Sequence, residues 1–165
     1  MDILVVVDMQ SDFIDGALGT AEAAAIVPKV AEKIKSFPGR VLFTRDTHGP
    51  DYLDTQEGQK LPVAHCIRGT AGWELAPEVE ALRREAPIDK PAFASVALAR
   101  MLRAQDDELR RQGSRVETVT LVGLCTDICV ISNALVLKAF LPEAEIVVVA
   151  ACTAGPDPAI SRPCA

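Results

Sequence analysis

The sequence predicts an α/β fold in which a mainly parallel central sheet carries helices on both faces. Three observations lead there. Ile3–Val7 (ILVVV) is a continuous apolar run, as expected of a strand buried on both faces of a parallel sheet. Thr118–Val130 (TVTLVGLCTDICV) passes from a β-branched run through Gly123 into Val130–Phe140, where apolar residues recur at helical spacing. The rest of the chain alternates strand-like and helix-like segments, and right-handed crossovers between parallel strands place helices on both sides of the sheet.

The first strand ends at Asp8, a carboxylate on its C-terminal tip. Met9–Gly19 reads as loop, with Gly16 and Gly19 as turn residues. A helix follows with Ile26, Val27, Val30 and Ile34 on one face, closed by Phe37-Pro38-Gly39. Pro28 leaves its start open, because proline suits a first turn and is costly in a helix interior. Val41–Arg45 is the second strand, and a polar loop runs from Asp46 to Gly72. Glu74–Arg84 is expected to be helical, with Leu75, Val79 and Leu82 on one side. Pro87–Pro91 gives a short edge strand, since proline excludes a central one. Ser95 caps a helix that runs to about Gln112 and stops at Gly113. The fourth strand leads into the Cys129 helix, capped by Thr126 or Asp127, and Ile146–Val149 is the last clear strand.

The 165 residues suffice for one domain with a sizeable core, 49% hydrophobic but only 4% aromatic. A net charge of -6 without any basic run argues against nucleic acid as a partner. No apolar stretch approaches the ~18 residues of a membrane span, and the N-terminus lacks a basic-then-apolar leader. Five cysteines (Cys66, Cys125, Cys129, Cys152, Cys164) form no small-domain disulfide framework and fit reduced thiols. A cytoplasmic protein with neither nucleic-acid nor membrane partners is expected.

In open α/β sheets ligands bind beyond the carboxyl ends of the strands. Asp8, Asp46, His48, Lys90 and Cys129 all follow or end strands, so they should share one edge. Cys129 falls in a helix's first turn, where free N–H groups and the macrodipole favour an anion and lower a thiol's pKa. The same N–H groups suit the oxyanion of a tetrahedral intermediate. Asp8, Lys90 and Cys129 thus make a set for acyl transfer: nucleophile, base, and a cation that keeps Asp8 ionised or assists the thiol. Taken singly, the three also read as a loop-capping carboxylate, a surface lysine and a small buried hydrophobe. Asp46, His48, Glu57 and His65 offer the oxygen and imidazole donors that suit Zn²⁺, Mn²⁺ or Fe²⁺, against the plainer reading of loop histidines bonded to backbone. Phe13 and Trp73 either flank a flat ring substrate or pack, and for Trp73 packing is expected.

Five segments in order resemble the isochorismatase-like cysteine hydrolases, which include the nicotinamidases: VVVDMQSDF (Val5–Phe13), TRDTH (Thr44–His48), LPVAHCIRGTAGWEL (Leu61–Leu75), DKPAFAS (Asp89–Ser95) and GLCTDICV (Gly123–Val130). The resemblance implies a three-layer α/β/α Rossmann-like fold and a catalytic Asp8–Lys90–Cys129 triad. It implies a cis peptide between Leu124 and Cys125, with the Cys125 and Cys129 amides as oxyanion hole. It also implies a divalent metal (Zn, Mn or Fe) on Asp46, His48 and His65, with Glu57 as a further ligand, and a substrate seated near Phe13 and Leu124. The implied reaction is hydrolysis of a small carboxamide through a Cys129 thioester, in a homo-oligomer. Three departures stand out: Leu61 precedes Pro62 where an aromatic is common, Cys125 replaces the usual alanine, and Ser161–Ala165 has no helical pattern where the family continues into a helix. Two other readings are hydrolysis of a carbamoyl compound or isochorismate-like ether, and a non-catalytic, redox-responsive binding protein using Cys125 and Cys129.

Overall fold

A computed structural model describes residues 1–155. Strands β1 (Asp2–Val7), β2 (Arg40–Asp46), β3 (Ile88–Lys90), β4 (Thr118–Leu124) and β5 (Glu145–Ala154) form one parallel sheet in the order β3-β2-β1-β4-β5. β1 lies at the centre with every residue from Ile3 to Val7 fully buried, which is why its sequence is apolar without alternation. Successive side chains point to opposite faces, and two cores result. Leu4, Val6, Val122 and Leu124 pack on one side with helix α2 (Ala21–Ser36), whereas Ile3, Val5, Val7, Val119 and Leu121 pack on the other with helices α5 (Val96–Arg111) and α6 (Ile131–Phe140).

Each long helix obeys its local signals. Thr20 caps α2 by accepting from the Ala23 amide at 3.0 Å, and Pro28 lies inside the helix, which starts about two turns before the proline. Ser95 caps α5 through the Leu98 amide at 3.1 Å, and Gly113, with φ +76°, terminates it. Among the described residues no helix is long and apolar enough to cross a membrane.

The structure differs from the sequence reading in several places. Met9–Gly19 contains a helical turn, α1 (Ser11–Ile14), and the Asp46–Gly72 loop contains a second, α3 (Gln56–Lys60), capped by Thr55. The helix expected over Glu74–Arg84 shrinks to one turn, α4 (Pro77–Glu80). Leu75 bridges Gln10 in antiparallel fashion and the Ala76 amide donates to the Met9 carbonyl, so extended backbone displaces the first helical turn and Pro77 opens what remains. The Cys129 helix begins with a π-helical turn at Thr126–Val130; Cys125 is its flanking residue, and neither Thr126 nor Asp127 supplies a side-chain cap. The Ser161–Ala165 segment and Cys164 lie outside the described residues.

Candidate active site

The carboxyl ends of β1 to β4 bring the predicted polar residues to one edge. β1 closes on Asp8, whose φ of +47° puts a non-glycine residue in the left-handed region, a cost of roughly 1–3 kcal/mol that the surrounding structure must offset. Its carboxylate is completely buried, and Oδ1 accepts a hydrogen bond from Thr44 Oγ1 on β2 at 2.7 Å. Lys90, the last residue of the edge strand β3, turns inward and also has no exposed side-chain surface. Its ammonium lies 2.7 Å from Asp8 Oδ2, 3.2 Å from Asp46 Oδ1 and 3.4 Å from Cys129 Sγ, and donates to the Ala92 carbonyl at 3.1 Å. The approach to Asp8 Oδ2 is ionic and off the hydrogen-bonding direction, so among the described residues that oxygen has no hydrogen-bonded partner.

Burial removes the water that would solvate these charges, and charge pairing then decides which survive. Burial works against protonated Lys90, but Asp8, Cys129 and Asp46 together raise its pKa, so the ammonium persists. Burial pushes the Asp8 carboxyl up against the pull of Lys90, which suits it to carry a proton. Burial, then the negative charge of Asp8, pushes the Cys129 thiol well above its ordinary value. This reverses the expectation of a thiol acidified by a helix start. The amides of Ile128 and Val130 are already committed to the Cys125 carbonyl at 3.2 and 3.0 Å, and the charge that acts most strongly on the thiol is the buried carboxylate of Asp8, ahead of the opposing Lys90. A thiol, a carboxylate and a fixed ammonium in this arrangement can pass one proton between sulfur and oxygen without water, the single negative charge staying balanced by Lys90.

The second cluster adjoins the first through Asp46. One ligand atom from each of Asp46, His48, Glu57 and His65 lies within 4.8 Å of all the others. His48 Nε2 is 2.9 Å from Asp46 Oδ2 and 3.7 Å from Glu57 Oε1, and His65 Nε2 is 3.7 and 4.0 Å from the same two oxygens. His65 Nδ1 is 2.8 Å from the Val63 carbonyl, which only accepts; Nδ1 therefore carries the hydrogen and Nε2 presents its lone pair to the cluster. Burial lowers the His65 pKa, keeping that lone pair available. Two imidazoles and two carboxylates form a donor set that fits a divalent transition metal.

Aromatic rings line this cluster despite Leu61. The Tyr52 ring lies 4.6 Å from that of His48 and 4.9 Å from that of His65, and the Phe13 ring lies 5.4 Å from His65. Tyr52 donates to the Leu61 carbonyl at 3.0 Å, so leucine enters the site through its backbone. Burial pushes the Tyr52 hydroxyl up to about 12, keeping it a neutral donor. Trp73 packs, as expected: its indole donates to Thr47 Oγ1 at 2.8 Å and its face receives the Arg45 guanidinium at 3.5 Å. Leu124 lies wholly inside the core, and the peptide joining it to Cys125 is cis.

Sequence reasoning missed the residues that hold the site in place. Gln10 is fully buried: its Nε2 donates to the carbonyls of Asp46 and Trp73, each at 2.8 Å, and its Oε1 accepts from the Asp46 amide at 2.7 Å. Thr44 and Tyr52 were equally unsignalled, because nothing in a local pattern says which polar side chain reaches a group on another element.

The family model described as "Isochorismatase domain" matches residues 2–162. The chain belongs to the isochorismatase family. Within it the chain is of the cysteine-hydrolase, nicotinamidase type. It is 30% identical over 145 residues to a nicotinamidase/pyrazinamidase of Mycobacterium tuberculosis, covering 79% of this chain and 75% of that protein. This isochorismatase domain also superposes on the N-carbamoylsarcosine amidase of Thermoplasma acidophilum with a TM-score of 0.71 and 32% identity over 96% of this chain and 87% of that one. The pyrazinamidase of Pyrococcus horikoshii, solved in complex with zinc, gives a TM-score of 0.72 and 29% identity over 96% and 89% of the two chains.

Proposed function

We propose that this chain is a metal-dependent, nicotinamidase-like amidohydrolase that converts a small aromatic carboxamide to its acid and ammonia. That it is a hydrolase of amide C–N bonds follows from its family and from its likeness to a nicotinamidase/pyrazinamidase. The observation that carries the rest is Lys90 Nζ, buried between Asp8, Cys129 Sγ and Asp46, which ties a nucleophile set to a metal-type donor set.

In this reading Asp8 takes the Cys129 proton while Lys90 stabilises the charge, and the thiolate adds to the carboxamide carbon. The Cys125 and Cys129 amides receive the oxyanion. Asp8 returns the proton to nitrogen, the C–N bond breaks, and ammonia leaves a Cys129 thioester. Asp8 then deprotonates a water that attacks the thioester, releasing the carboxylic acid and restoring the thiol. Asp46, His48, Glu57 and His65 would hold the metal, a Lewis acid able to anchor a ring nitrogen of the substrate. Phe13 and Tyr52 would flank the ring, with Leu124 backing the site from the core. Residues 1–165 would form one cytoplasmic domain acting as a homo-oligomer.

The test is ammonia release from nicotinamide by metal-loaded protein, chelated protein and the Cys129→Ala variant. Turnover confined to the metal-loaded wild type is expected. Turnover that survives Cys129→Ala would overturn the thioester route, and turnover that survives chelation would remove the metal from it.

A further inference from the structure

The buried amide of Asn133 has no place in the mechanism above. Asn133 sits one turn after Cys129 on α6 and is 1% exposed, so its three hydrogen-bonding groups must all find partners inside the protein. Its Nδ2 donates to the Cys129 carbonyl at 2.8 Å and to the Phe93 carbonyl at 3.1 Å, and its Oδ1 accepts from the Ser95 amide at 2.9 Å. Those partners lie on two different elements. Cys129 belongs to the turn after β4, whereas Phe93 and Ser95 belong to the segment joining β3 to α5.

The same segment holds Lys90. Ala92 accepts from Lys90 Nζ at 3.1 Å, one residue before Phe93. The contacts therefore close a circuit: Cys129 carbonyl to Asn133, Asn133 to Phe93 and Ser95, the neighbouring Ala92 to Lys90 Nζ, and Lys90 Nζ to Cys129 Sγ at 3.4 Å. Ser95 anchors the circuit further, since its Oγ caps α5. A leucine at 133 would be as buried on this helix as Ala134 and Leu137 but would leave the Phe93 carbonyl and Ser95 amide without this partner.

We infer that Asn133 is a positioning residue that sets the separation between Lys90 Nζ and Cys129 Sγ by bracing the segment after Lys90 against the nucleophile's turn. This rests on the reading of Cys129 as nucleophile, and a displacement of about 1 Å at a reacting centre can cost about a hundredfold in rate. Asn133→Ala removes the whole brace. Asn133→Ser keeps a hydroxyl able to bond the Cys129 carbonyl one turn back but is too short to span to Phe93 and Ser95.

Both variants, metal-loaded, are to be assayed for ammonia release from nicotinamide and for the rate of Cys129 alkylation by iodoacetamide, read by mass spectrometry with Cys125 as internal reference. The expected result is a kcat lowered roughly 10- to 100-fold, a KM changed less than about twofold, and Cys129 alkylation slowed in proportion. A side chain that only filled space would give the opposite in the second readout, because loosened packing exposes Cys129 and speeds its alkylation. Wild-type kcat in either folded variant overturns the inference, as does faster alkylation of Cys129; failure of both to fold assigns Asn133 to the core and overturns it too. If the wild type does not hydrolyse nicotinamide, the substrate reading fails while the alkylation comparison still decides the role of Asn133.

Discussion

Replacing Lys90 by methionine keeps an unbranched chain, one heavy atom shorter, and removes the charge from a fully buried position. The side chains of Lys90 and Asp8 are both fully buried, 2.7 Å apart, and Asp46 lies at 3.2 Å. With an effective dielectric of about 20, Coulomb attraction is about 6 kcal/mol for the first pair and about 5 kcal/mol for the second. Desolvating the ammonium costs several kcal/mol and cancels much of this, but that cost is recovered only for the lysine; Asp8 stays buried with no counter-charge. Breaking a buried pair from one side typically costs about 3–5 kcal/mol, which is about a third of a stability of 5–15 kcal/mol. Urea unfolding at pH 7, followed by circular dichroism, should show Lys90→Met destabilised by that amount. Asp8→Asn/Lys90→Met should be less destabilised than Lys90→Met alone, because no lone carboxylate remains at position 8. The pH dependence has a definite sign. Asp8 has a raised pKa in the folded state, so its ionised form destabilises the fold above the unfolded pKa, and the deficit of Lys90→Met should shrink as acid protonates it. A loss below about 1 kcal/mol, or strict additivity in the double variant, would refute the view that Lys90 is there to neutralise Asp8.

Four further outcomes are expected. Gln10→Ala strips the Asp46 backbone of two partners and should weaken metal binding roughly 10- to 100-fold by chelator competition; unchanged affinity would remove Gln10 from the support of that site. Gly123→Ala should yield no stable protein in thermal unfolding, since φ is +113° and a Cβ would lie 2.0 Å from the Val7 carbonyl oxygen; a soluble variant with wild-type Tm would contradict the close approach of β4 to β1. Alkylation of Cys129 in metal-free protein should climb with pH about tenfold per unit without a plateau below about pH 9, because burial and Asp8 hold the thiol protonated. A plateau near neutrality would mean a preformed thiolate. Finally, chelation of metal-loaded protein should lower Tm, since a ligand bound only to the folded state stabilises it, whereas His65→Ala should show a smaller shift.

The order and type of the strands were legible because β1 and β4 are buried on both faces and therefore uniformly apolar, and because Ser95 and Gly113 are unambiguous helix boundaries. Glu74–Arg84 was misread because helical spacing of Leu75, Val79 and Leu82 is a local signal, while pairing of Leu75 with Gln10 joins residues far apart in sequence. Asp8, Asp46, His48, Lys90 and Cys129 were expected to share one edge and do lie together there, because parallel strands deliver their C-terminal residues to one edge whatever the loops do. What only tertiary structure decided is how those residues behave. Lys90 is a buried cation shared by both clusters, and the Cys129 thiol is raised where helix-start logic predicts it lowered. Gln10, Thr44, Tyr52 and Asn133 hold the site through contacts across elements. Burial and long-range hydrogen bonds set these properties, and neither leaves a periodic trace in the chain: a sequence states which groups exist, while their charge and partners depend on what folding removes from water.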